Sequence, residues 1–458
     1  MADYKLSQFN NLTTHQDTYL LYNAHSDCLL ALNKKAFAVF TKIQQQISVA
    51  ISCSSNALQE KLNDFEKQLL MKFISGCFLV PYELDEISPY QKIFKETRQQ
   101  NVVLTPSFHL TFACNFNCRY CFQRDIRPGE GEAKTMTQET GINAINFLTK
   151  EISQYRQVEA AWVGGEPLLH IDKILFLSKK LQEICEIYKK PLHNLIITNG
   201  YLLTAKNLDA LSNIPNLMFQ ITLDGIGDIH DNRRHLTSSG STFATILKNI
   251  GEAYSRFGKK NVIIRINVDD GNAEHLPCFL DFLEKEFSPE KNTVVLAYVQ
   301  SYAESPIDDS IVNRTLLNYK RILDDILVVK GYLYKPFLFT PKVKATAGCR
   351  GVMRGDLIFD PEGNIYKCAR FISPQNGIVG NVVEGINQKE YENWVYWNPF
   401  KQEKCCKCSI LPLCMGGCPY PSLYQDRQSR CGDMKTFTGS HIIYEYLAMQ
   451  KGKDLLTV

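Results

Sequence analysis

The most distinctive chemistry in this chain lies in three closely spaced cysteines, Cys114, Cys118 and Cys121, which follow an apolar run. Cysteine thiolates are the usual ligands of iron–sulfur clusters, so three of them can hold three irons of a 4Fe–4S cluster. The fourth iron would then be open to a small molecule. A structural zinc site needs four nitrogen or sulfur ligands, and the next candidates downstream are His170 and Cys185. The spacing therefore favours an iron–sulfur cluster over zinc.

A second group of cysteines lies near the end of the chain: Cys349, Cys368, Cys405, Cys408, Cys414, Cys418 and Cys431. Cysteine pairs two residues apart, with further cysteines nearby, are typical of zinc sites as well as of clusters. Spacing alone leaves both interpretations open. The glycines in Met415-Gly-Gly417 give the backbone room to wrap a cluster.

Composition narrows the class of protein further. The chain has 458 residues, 16 cysteines and a net charge of +3, which predicts roughly three domains and no nucleic-acid or membrane partner. No apolar run approaches the ~20 residues that span a bilayer, and the first residues lack a signal-peptide pattern. Many cysteines without a secretory signal favour metal or redox chemistry over disulfides. We therefore expect a cytoplasmic protein in a low-oxygen setting.

The first 100 residues predict a small α+β unit. The expected elements are a hairpin (18–23 with 27–33), helices at 34–47 and 58–74, a strand at 77–80 and a helix at 88–100. Strands that alternate with helices over about 80 residues are typical of such a unit.

From residue 101 to about 335, apolar runs alternate with helical patterns. The predicted strands are 107–113, 159–164, 195–199, 218–224, 262–268 and 293–299, and the predicted helices are 136–152, 171–188, 204–212, 243–257 and 273–287. This alternation predicts a parallel sheet. Parallel sheets place ligand sites at the carboxyl ends of their strands.

Polar and glycine residues follow these predicted strands at that edge. They are Gly164, Gly165, Glu166 and Pro167, then Thr198 and Asn199, then Thr222 and Asp224, then Arg265 and Asn267. Two adjacent glycines let a ligand approach the backbone closely, although they also suit a tight turn. Arg265 and Asn267 share one side of their strand at period two. An arginine in an apolar strand needs a partner, which is either an internal carboxylate or an anionic ligand.

Cys114, Cys118, Tyr120 and Cys121 resemble the signature of radical S-adenosylmethionine (SAM) enzymes. The resemblance implies a partial (β/α)6 TIM-like barrel whose open iron chelates the amino and carboxylate groups of SAM. One electron from the cluster then cleaves SAM, and the resulting 5′-deoxyadenosyl radical abstracts hydrogen from a C–H bond. It also implies that residues 164–167 lie at the SAM amino group. Thr198, Asn199, Thr222 and Asp224 would contact the ribose and the carboxylate, and Arg265, beside Asn267, the carboxylate.

The seven C-terminal cysteines resemble the SPASM domain of peptide-modifying radical SAM enzymes. The resemblance assigns Cys349, Cys368 and Cys418 to a first auxiliary cluster. It assigns Cys405, Cys408, Cys414 and Cys431 to a second. The fourth iron of the first cluster is either open or reached by Cys406. The implied cofactors are SAM and three 4Fe–4S clusters.

The N-terminal unit resembles a winged-helix-like domain that binds a leader peptide as an added strand. The open alternative is a domain that only packs against the barrel. The predicted domains are thus a recognition domain (1–100), a radical SAM barrel (101–335) and a SPASM domain (336–458). The implied partners are a precursor peptide and a ferredoxin- or flavodoxin-like electron donor.

These features together predict an enzyme that crosslinks a ribosomally made peptide through a thioether, carbon–carbon or carbon–oxygen bond. One alternative is a sulfatase-maturing enzyme that makes formylglycine. Such enzymes carry an aspartate after the second SPASM cysteine, where this chain has Ala369, and begin close to the cluster motif, whereas about 110 residues precede Cys114 here. An alternative of another class is a zinc-stabilised binding protein. No residue stands out as a general base.

Overall fold

The computed structural model describes residues 3–50, 53–54, 62–121, 123, 133–287, 293–299, 349–369, 372, 377–424, 431 and 433–452. Contacts divide the chain into two compact units. Unit 1 comprises Met1–Arg98, Leu323–Cys349 and Asn398–Val458, and unit 2 comprises Gln99–Ile322 and Arg350–Trp397.

The N-terminal part of unit 1 contains two small antiparallel sheets. One has the order β2-β3-β4 and the other β5-β1-β6. The strands are β1 (Asp3–Leu6), β2 (Asn10–His15), β3 (Thr18–Asn23), β4 (Cys28–Leu32), β5 (Cys53–Ser54) and β6 (Leu79–Pro81). The predicted hairpin is confirmed, because Asn23 pairs with Cys28 and Tyr19 with Leu32.

The described residues of this region also form the helices α1 (Lys34–Ala50), α2 (Asp64–Ser75) and α3 (Ser88–Gln99). The helix predicted at 58–74 begins at Asp64, where Asn63 and Glu66 form a reciprocal capping box that satisfies the first free N–H groups. The predicted start at 58 lies outside the described residues. Leu69, Phe73 and Phe40 belong to the core between α1, α2 and the strands.

Unit 2 is built on six parallel strands that pair in sequence order. They are β7 (Val103–His109), β8 (Gln157–Val163), β9 (Leu192–Thr198), β10 (Leu217–Thr222), β11 (Val262–Val268) and β12 (Thr293–Tyr298). The helices are α4 (Gln138–Glu151), α5 (Ile171–Ile187), α6 (Ala205–Leu211), α7 (Asp228–Asp231), α8 (Phe243–Phe257) and α9 (Leu276–Phe287). This mixed α/β fold with a largely parallel sheet is consistent with the predicted partial barrel.

Two sequence predictions were wrong, namely the end of the first parallel strand and the burial of Cys278. The first strand ends at His109 rather than at 113. Leu110 N–H still donates to the Val163 carbonyl of β8 at 3.0 Å, but Phe112 N–H donates to the Lys134 carbonyl, outside the parallel ladder, at 3.0 Å. The apolar pattern therefore continues past the strand. The helical pattern around Cys278 predicts a core position, but Cys278 is exposed, since it lies off the buried face of α9.

Four further strands extend this sheet beyond β7. They are β13 (Asp356–Phe359), which is parallel to β7, followed by the antiparallel β14 (Asn364–Tyr366), β15 (Ile378–Asn381) and β16 (Gly385–Ile386). Helix α10 (Gln388–Val395) follows. The Cys368 segment therefore belongs to the same unit as the parallel strands.

The chain then returns to unit 1 with four helices. They are α11 (Glu403–Cys406), α12 (Leu411–Cys414), α13 (Tyr420–Tyr424) and α14 (Asp433–Gly452). The sequence pattern at 437–449 predicts a helix, which α14 contains, and α14 packs on the β2-β3-β4 sheet. Within the described ranges, no helix combines the length and the apolarity that crossing a membrane requires.

Candidate active site

The three-cysteine segment of unit 2 (residues 114–121) is held by backbone pairing with residues 235–237. Asn117 N–H donates to the His235 carbonyl at 3.0 Å, and Thr237 N–H donates to the Asn115 carbonyl at 2.9 Å. Phe116 N–H donates to the Cys114 Sγ at 3.4 Å, as backbone amides do to cluster sulfurs. The fold thus fixes the cysteine segment at the carboxyl end of β7.

The glycine pair after β8 lies against the chain that leads into the cysteines. Gly165 N–H donates to the Thr111 carbonyl at 2.8 Å, and Glu166 N–H to the Ala113 carbonyl at 2.9 Å. A Cβ on Gly165 would lie 2.0 Å from the Ala113 oxygen, and Gly164 has a φ of +142°. The sequence suggested that these glycines let a ligand come close to the backbone. In the structure, they are required because another stretch of backbone lies directly against them.

We expect Gly165→Ala to displace the segment before Cys114, because the new methyl group would meet a backbone oxygen that cannot rotate away. The free energy of unfolding should fall by about 3 kcal/mol, as for severe overpacking, and iron should be lost from the first cluster. Gly251→Ala is the matched control, since a Cβ there meets nothing within 4 Å and should stabilise α8 by up to about 1 kcal/mol. Thermal unfolding and iron content measure both; a variant as stable and iron-rich as wild type would contradict this packing.

Glu166 is fully buried and braces β8 against β9. Its carboxylate accepts hydrogen bonds from Thr198 Oγ1 at 2.7 Å, Asn199 N–H at 2.8 Å and Leu168 N–H at 3.0 Å. Burial raises the pKa of Glu166, although these donors oppose the rise. Asn199 Nδ2 in turn donates to Asn115 Oδ1 at 2.8 Å. The residues predicted at the ends of two strands are thus brought to the cysteine segment.

The Tyr120 hydroxyl connects the cysteine segment to β10 and β11. It donates to Asp224 Oδ2 and accepts from Arg234 Nη1 at 2.7 Å and Asn267 Nδ2 at 3.2 Å. Burial raises the pKa of Tyr120 well above its ordinary value, so the hydroxyl keeps its proton. The ring that precedes the third cysteine is therefore locked by three partners from other parts of the chain.

Asp224 is the buried anion at the centre of this network. Its Oδ1 accepts from Asn267 N–H at 2.8 Å, and Arg233 Nε lies 3.7 Å from its Oδ2. Its backbone N–H donates to His230 Nδ1 at 3.0 Å. His230 is fully buried, and burial lowers its pKa well below the ordinary value. Both carboxylate oxygens of Asp224 are therefore used inside the protein.

Arg265 and Asn267 lie on the same side of β11, as predicted. Arg265 Nε donates to Asn267 Oδ1 at 2.9 Å, while Ile264 and Ile266 face the other side and are buried. Thr222 is buried at the end of β10. Contacts with SAM remain predictions for Thr222, Arg265, Asn267 and residues 164–167. The geometry favours a structural role for Glu166 and Asp224, which brace neighbouring strands and loops.

Sequence reasoning missed several residues of this site. Arg234 is almost fully buried. Burial opposes its charge, but Cys118, Tyr120 and Asp224 outweigh this effect and raise its pKa. His109, whose pKa burial lowers to about 3, lies with its Nδ1 3.2 Å from Gln123 Nε2. The sequence signal that could have identified Arg234 is the adjacent pair Arg233-Arg234 downstream of a predicted strand end, because arginines buried there need partners.

Four of the C-terminal cysteines come together in unit 1. Burial raises the pKa of Cys405 to about 11, and the nearby thiols of Cys414, Cys431 and Cys408 add to the rise. Met415, Gly416 and Gly417 all have positive φ, and the N–H groups of Met415 and Gly417 donate to the Leu411 and Cys414 carbonyls, so this segment turns tightly between Cys414 and Cys418. The set of four thiols suits an iron–sulfur cluster, because cysteine thiolates are its usual ligands.

Within the described part of the chain, the structure does not group the remaining cysteines into a second auxiliary site. The Cys406 thiol donates to the Phe400 carbonyl at 3.3 Å, a bond that it would give up to serve as a cluster ligand. Cys349 and Cys418 fall in unit 1 and Cys368 in unit 2, so their grouping remains a prediction. Among the residues that the structure describes, no three Cys, His, Asp or Glu side chains are arranged to hold a single metal ion.

Comparison with known proteins identifies the class of domain in unit 2. Residues 108–283 match the family model of the radical SAM superfamily, so the chain carries a radical SAM domain. Such a domain implies SAM and a 4Fe–4S cluster as cofactors and a reaction of the oxidoreductase type.

Two of the relatives are maturation enzymes. The chain is 24% identical over 332 residues to a cysteine-type anaerobic sulfatase-maturating enzyme of Clostridium novyi, covering 67% of this chain and 84% of the relative. It is 22% identical over 171 residues, 37% of each chain, to the sporulation killing factor maturation protein SkfB of Bacillus subtilis. These similarities indicate a protein that resembles radical SAM maturases.

Two solved structures share the fold. Native anSMEcpe with bound AdoMet and the Cp18Cys peptide has a TM-score of 0.58 at 17% identity, over 76% of this chain and 99% of that chain. Streptococcus suis SuiB bound to its precursor peptide SuiA has a TM-score of 0.52 at 14% identity, over 94% and 99%. At these identities the likeness concerns the fold alone.

Proposed function

We propose that this protein is a radical SAM maturase with a SPASM-type auxiliary-cluster region, which forms a crosslink in a ribosomally made peptide. The observation that carries the proposal is the combination of two sites in one chain. One is the cysteine segment braced through Tyr120 and Asp224, and the other is the group of thiols around Cys405.

The residues of unit 2 fit the first cluster and SAM. Cys114, Cys118 and Cys121 would hold three irons, and the fourth would bind SAM. When bound, this pair supplies a carbon-centred radical that removes a hydrogen atom from the substrate. Arg234 supplies a fixed positive charge beside Cys118, and Arg265 supplies one for the SAM carboxylate. Thr222, Asn199 and the backbone at 164–167 would orient the rest of SAM.

The auxiliary cysteines would serve the second half of the reaction. Crosslink formation removes two hydrogen atoms from the peptide: SAM chemistry takes one, and the other leaves as a proton and an electron. A cluster held by Cys405, Cys408, Cys414 and Cys431 would accept that electron. A ferredoxin- or flavodoxin-like protein would supply the first electron.

The N-terminal domain would bind the leader of the precursor peptide. A leader can add as a strand to the end of a sheet, and the two small sheets end in β2 and β4 and in β5 and β6. The likeness in fold to SuiB, which was solved with its precursor peptide, supports a peptide substrate.

Sulfatase maturation is the second candidate, favoured by the similarity to the Clostridium novyi enzyme and to anSMEcpe. Ala369 opposes it. This residue follows Cys368, where the sulfatase-maturing branch carries its acid–base aspartate, and it packs against the apolar cluster around Phe112, Ile358 and Tyr366. A methyl group among apolar side chains cannot transfer a proton.

One experiment separates these functions. The reconstituted protein would be incubated under anaerobic conditions with SAM, dithionite and a synthetic peptide taken from a short reading frame beside the gene. The proposal predicts 5′-deoxyadenosine and a peptide that has lost two hydrogen atoms, retains its sulfur and does not react with an aldehyde probe. A cysteine or serine converted to formylglycine, in this peptide or in a sulfatase peptide, would favour the second candidate.

A further inference from the structure

The N-terminal strands contact the segment that carries the auxiliary cysteines of unit 1. Gln8 Nε2 donates to the Cys406 carbonyl at 3.1 Å. Ser409 Oγ donates to Asn11 Oδ1 at 2.7 Å, and Asn11 Nδ2 returns a longer bond of 3.4 Å to the Ser409 carbonyl. These bonds reach the residues that directly follow Cys405 and Cys408, so Gln8, which lies between β1 and β2, and Asn11, on β2, help to hold that segment in place.

A second contact holds the same segment just before its first cysteine. The rings of Phe94, on α3, and Phe400 meet edge to face, with their centroids 5.8 Å apart. Phe400 also accepts the Cys406 thiol hydrogen at 3.3 Å. The residues that precede Cys405 are therefore fixed to the N-terminal domain as well.

The other end of the four-cysteine segment is anchored to the same domain. Helix α14 begins two residues after Cys431 and packs on the β2-β3-β4 sheet. Its His441 meets the ring of Tyr22 at 6.1 Å, and its Tyr446 meets His15 at 6.1 Å. Both flanks of the cysteine group thus lie on strands of the N-terminal domain.

We propose that Gln8 and Asn11 are positioning residues for the centre formed by Cys405, Cys408, Cys414 and Cys431, and that the N-terminal domain is part of its scaffold. The inference rests on the proposed function, which assigns a cluster to these cysteines. Hydrogen bonds that hold the segment in place before the cluster forms reduce the cost of ordering its ligands. By linkage, a peptide that binds this domain and moves Gln8 or Asn11 changes the stability of the cluster, and the cluster changes peptide affinity by the same factor.

The test compares full-length wild type with Gln8→Ala/Asn11→Ala after reconstitution. The rate of iron release to a ferrous chelator and the electron paramagnetic resonance signals of the reduced clusters would be followed together. The three hydrogen bonds that the double variant loses should speed release by about tenfold or more, confined to about a third of the iron, as expected for one of three clusters. Thr14→Ala is the control, because Thr14 lies exposed on the same strand and should leave release unchanged.

Asn11→Asp provides a conservative comparison, since it keeps the oxygen that accepts from Ser409. Its release rate should lie closer to wild type than that of Asn11→Ala. Wild-type release kinetics in the double variant would overturn the inference, and so would faster loss of all iron together with a lower melting temperature, which would indicate a general effect on folding. Wild-type protein with only about four irons would instead overturn the proposed auxiliary clusters, and this inference with them.

Discussion

Replacing Cys118 with alanine should abolish SAM cleavage and remove one cluster. Cys118 is buried and is expected to be one of three thiolates that hold the SAM-binding cluster. Iron per chain should fall from about twelve to about eight, and 5′-deoxyadenosine should fall to background in an anaerobic assay with dithionite. The effect is expected to be this large because a four-iron cluster with two protein ligands is not retained, and the charge of Arg234 beside Cys118 would lose an anionic partner.

Two further variants show whether the loss of activity in Cys118→Ala comes from misfolding or from the missing cluster ligand. Cys118→Ser nearly keeps the side-chain volume and should show the same loss with less change in the melting temperature. Cys278→Ala alters an exposed cysteine on α9 and should retain full iron and activity. Wild-type iron and SAM cleavage in Cys118→Ala would contradict the assignment of the cysteine segment as a cluster site.

Asp224→Ala should be among the most damaging substitutions in the chain. The carboxylate is buried, accepts from Tyr120 and from Asn267 N–H at 2.8 Å, and lies 3.7 Å from Arg233 Nε. Its removal would leave the buried charges of Arg233 and Arg234 with less compensation, and breaking a buried ion pair in this way costs about 3–5 kcal/mol. Tyr120 would also lose the acceptor that orients it beside Cys121. SAM cleavage should therefore fall by about 100-fold, as for a misplacement of about 1 Å at a reacting centre.

Asp228→Asn is the matched control, because Asp228 is exposed on α7. It should change the free energy of unfolding by less than about 0.5 kcal/mol. Chemical denaturation under anaerobic conditions gives the stability, and formation of 5′-deoxyadenosine gives the activity. An Asp224→Ala variant with the stability and rate of Asp228→Asn would show that the network around Tyr120 has no functional role.

Much of the parallel-sheet part of unit 2 was predictable because its signals are local. The strand at 262–268 and the helix at 243–257 have the predicted bounds, since period two and period 3.6 apolar patterns report which face is buried. The placement of polar residues after the strands was also predictable, because parallel strands end at one edge. This local pattern correctly placed Arg265 and Asn267 on one side of β11.

Other features depend on contacts between distant parts of the chain. Nothing in the sequence near Gly165 shows that the Ala113 backbone occupies the space of its missing side chain. The pairing of β13 with β7 joins residues that are about 250 positions apart, and the bonds from Gln8 and Asn11 to the auxiliary cysteine segment span 398 positions. Propensity and periodicity carry no information about such partners, so the bracing roles of Glu166, Asp224 and Arg234 became visible only in the fold.

The most direct test of the central claim is the content of iron, sulfide and zinc per chain after anaerobic purification and reconstitution. A radical SAM maturase with two auxiliary clusters predicts about twelve irons with matching sulfide and little zinc. About four irons with zinc in addition would keep the SAM site and remove the auxiliary clusters. Zinc without iron would contradict the account altogether.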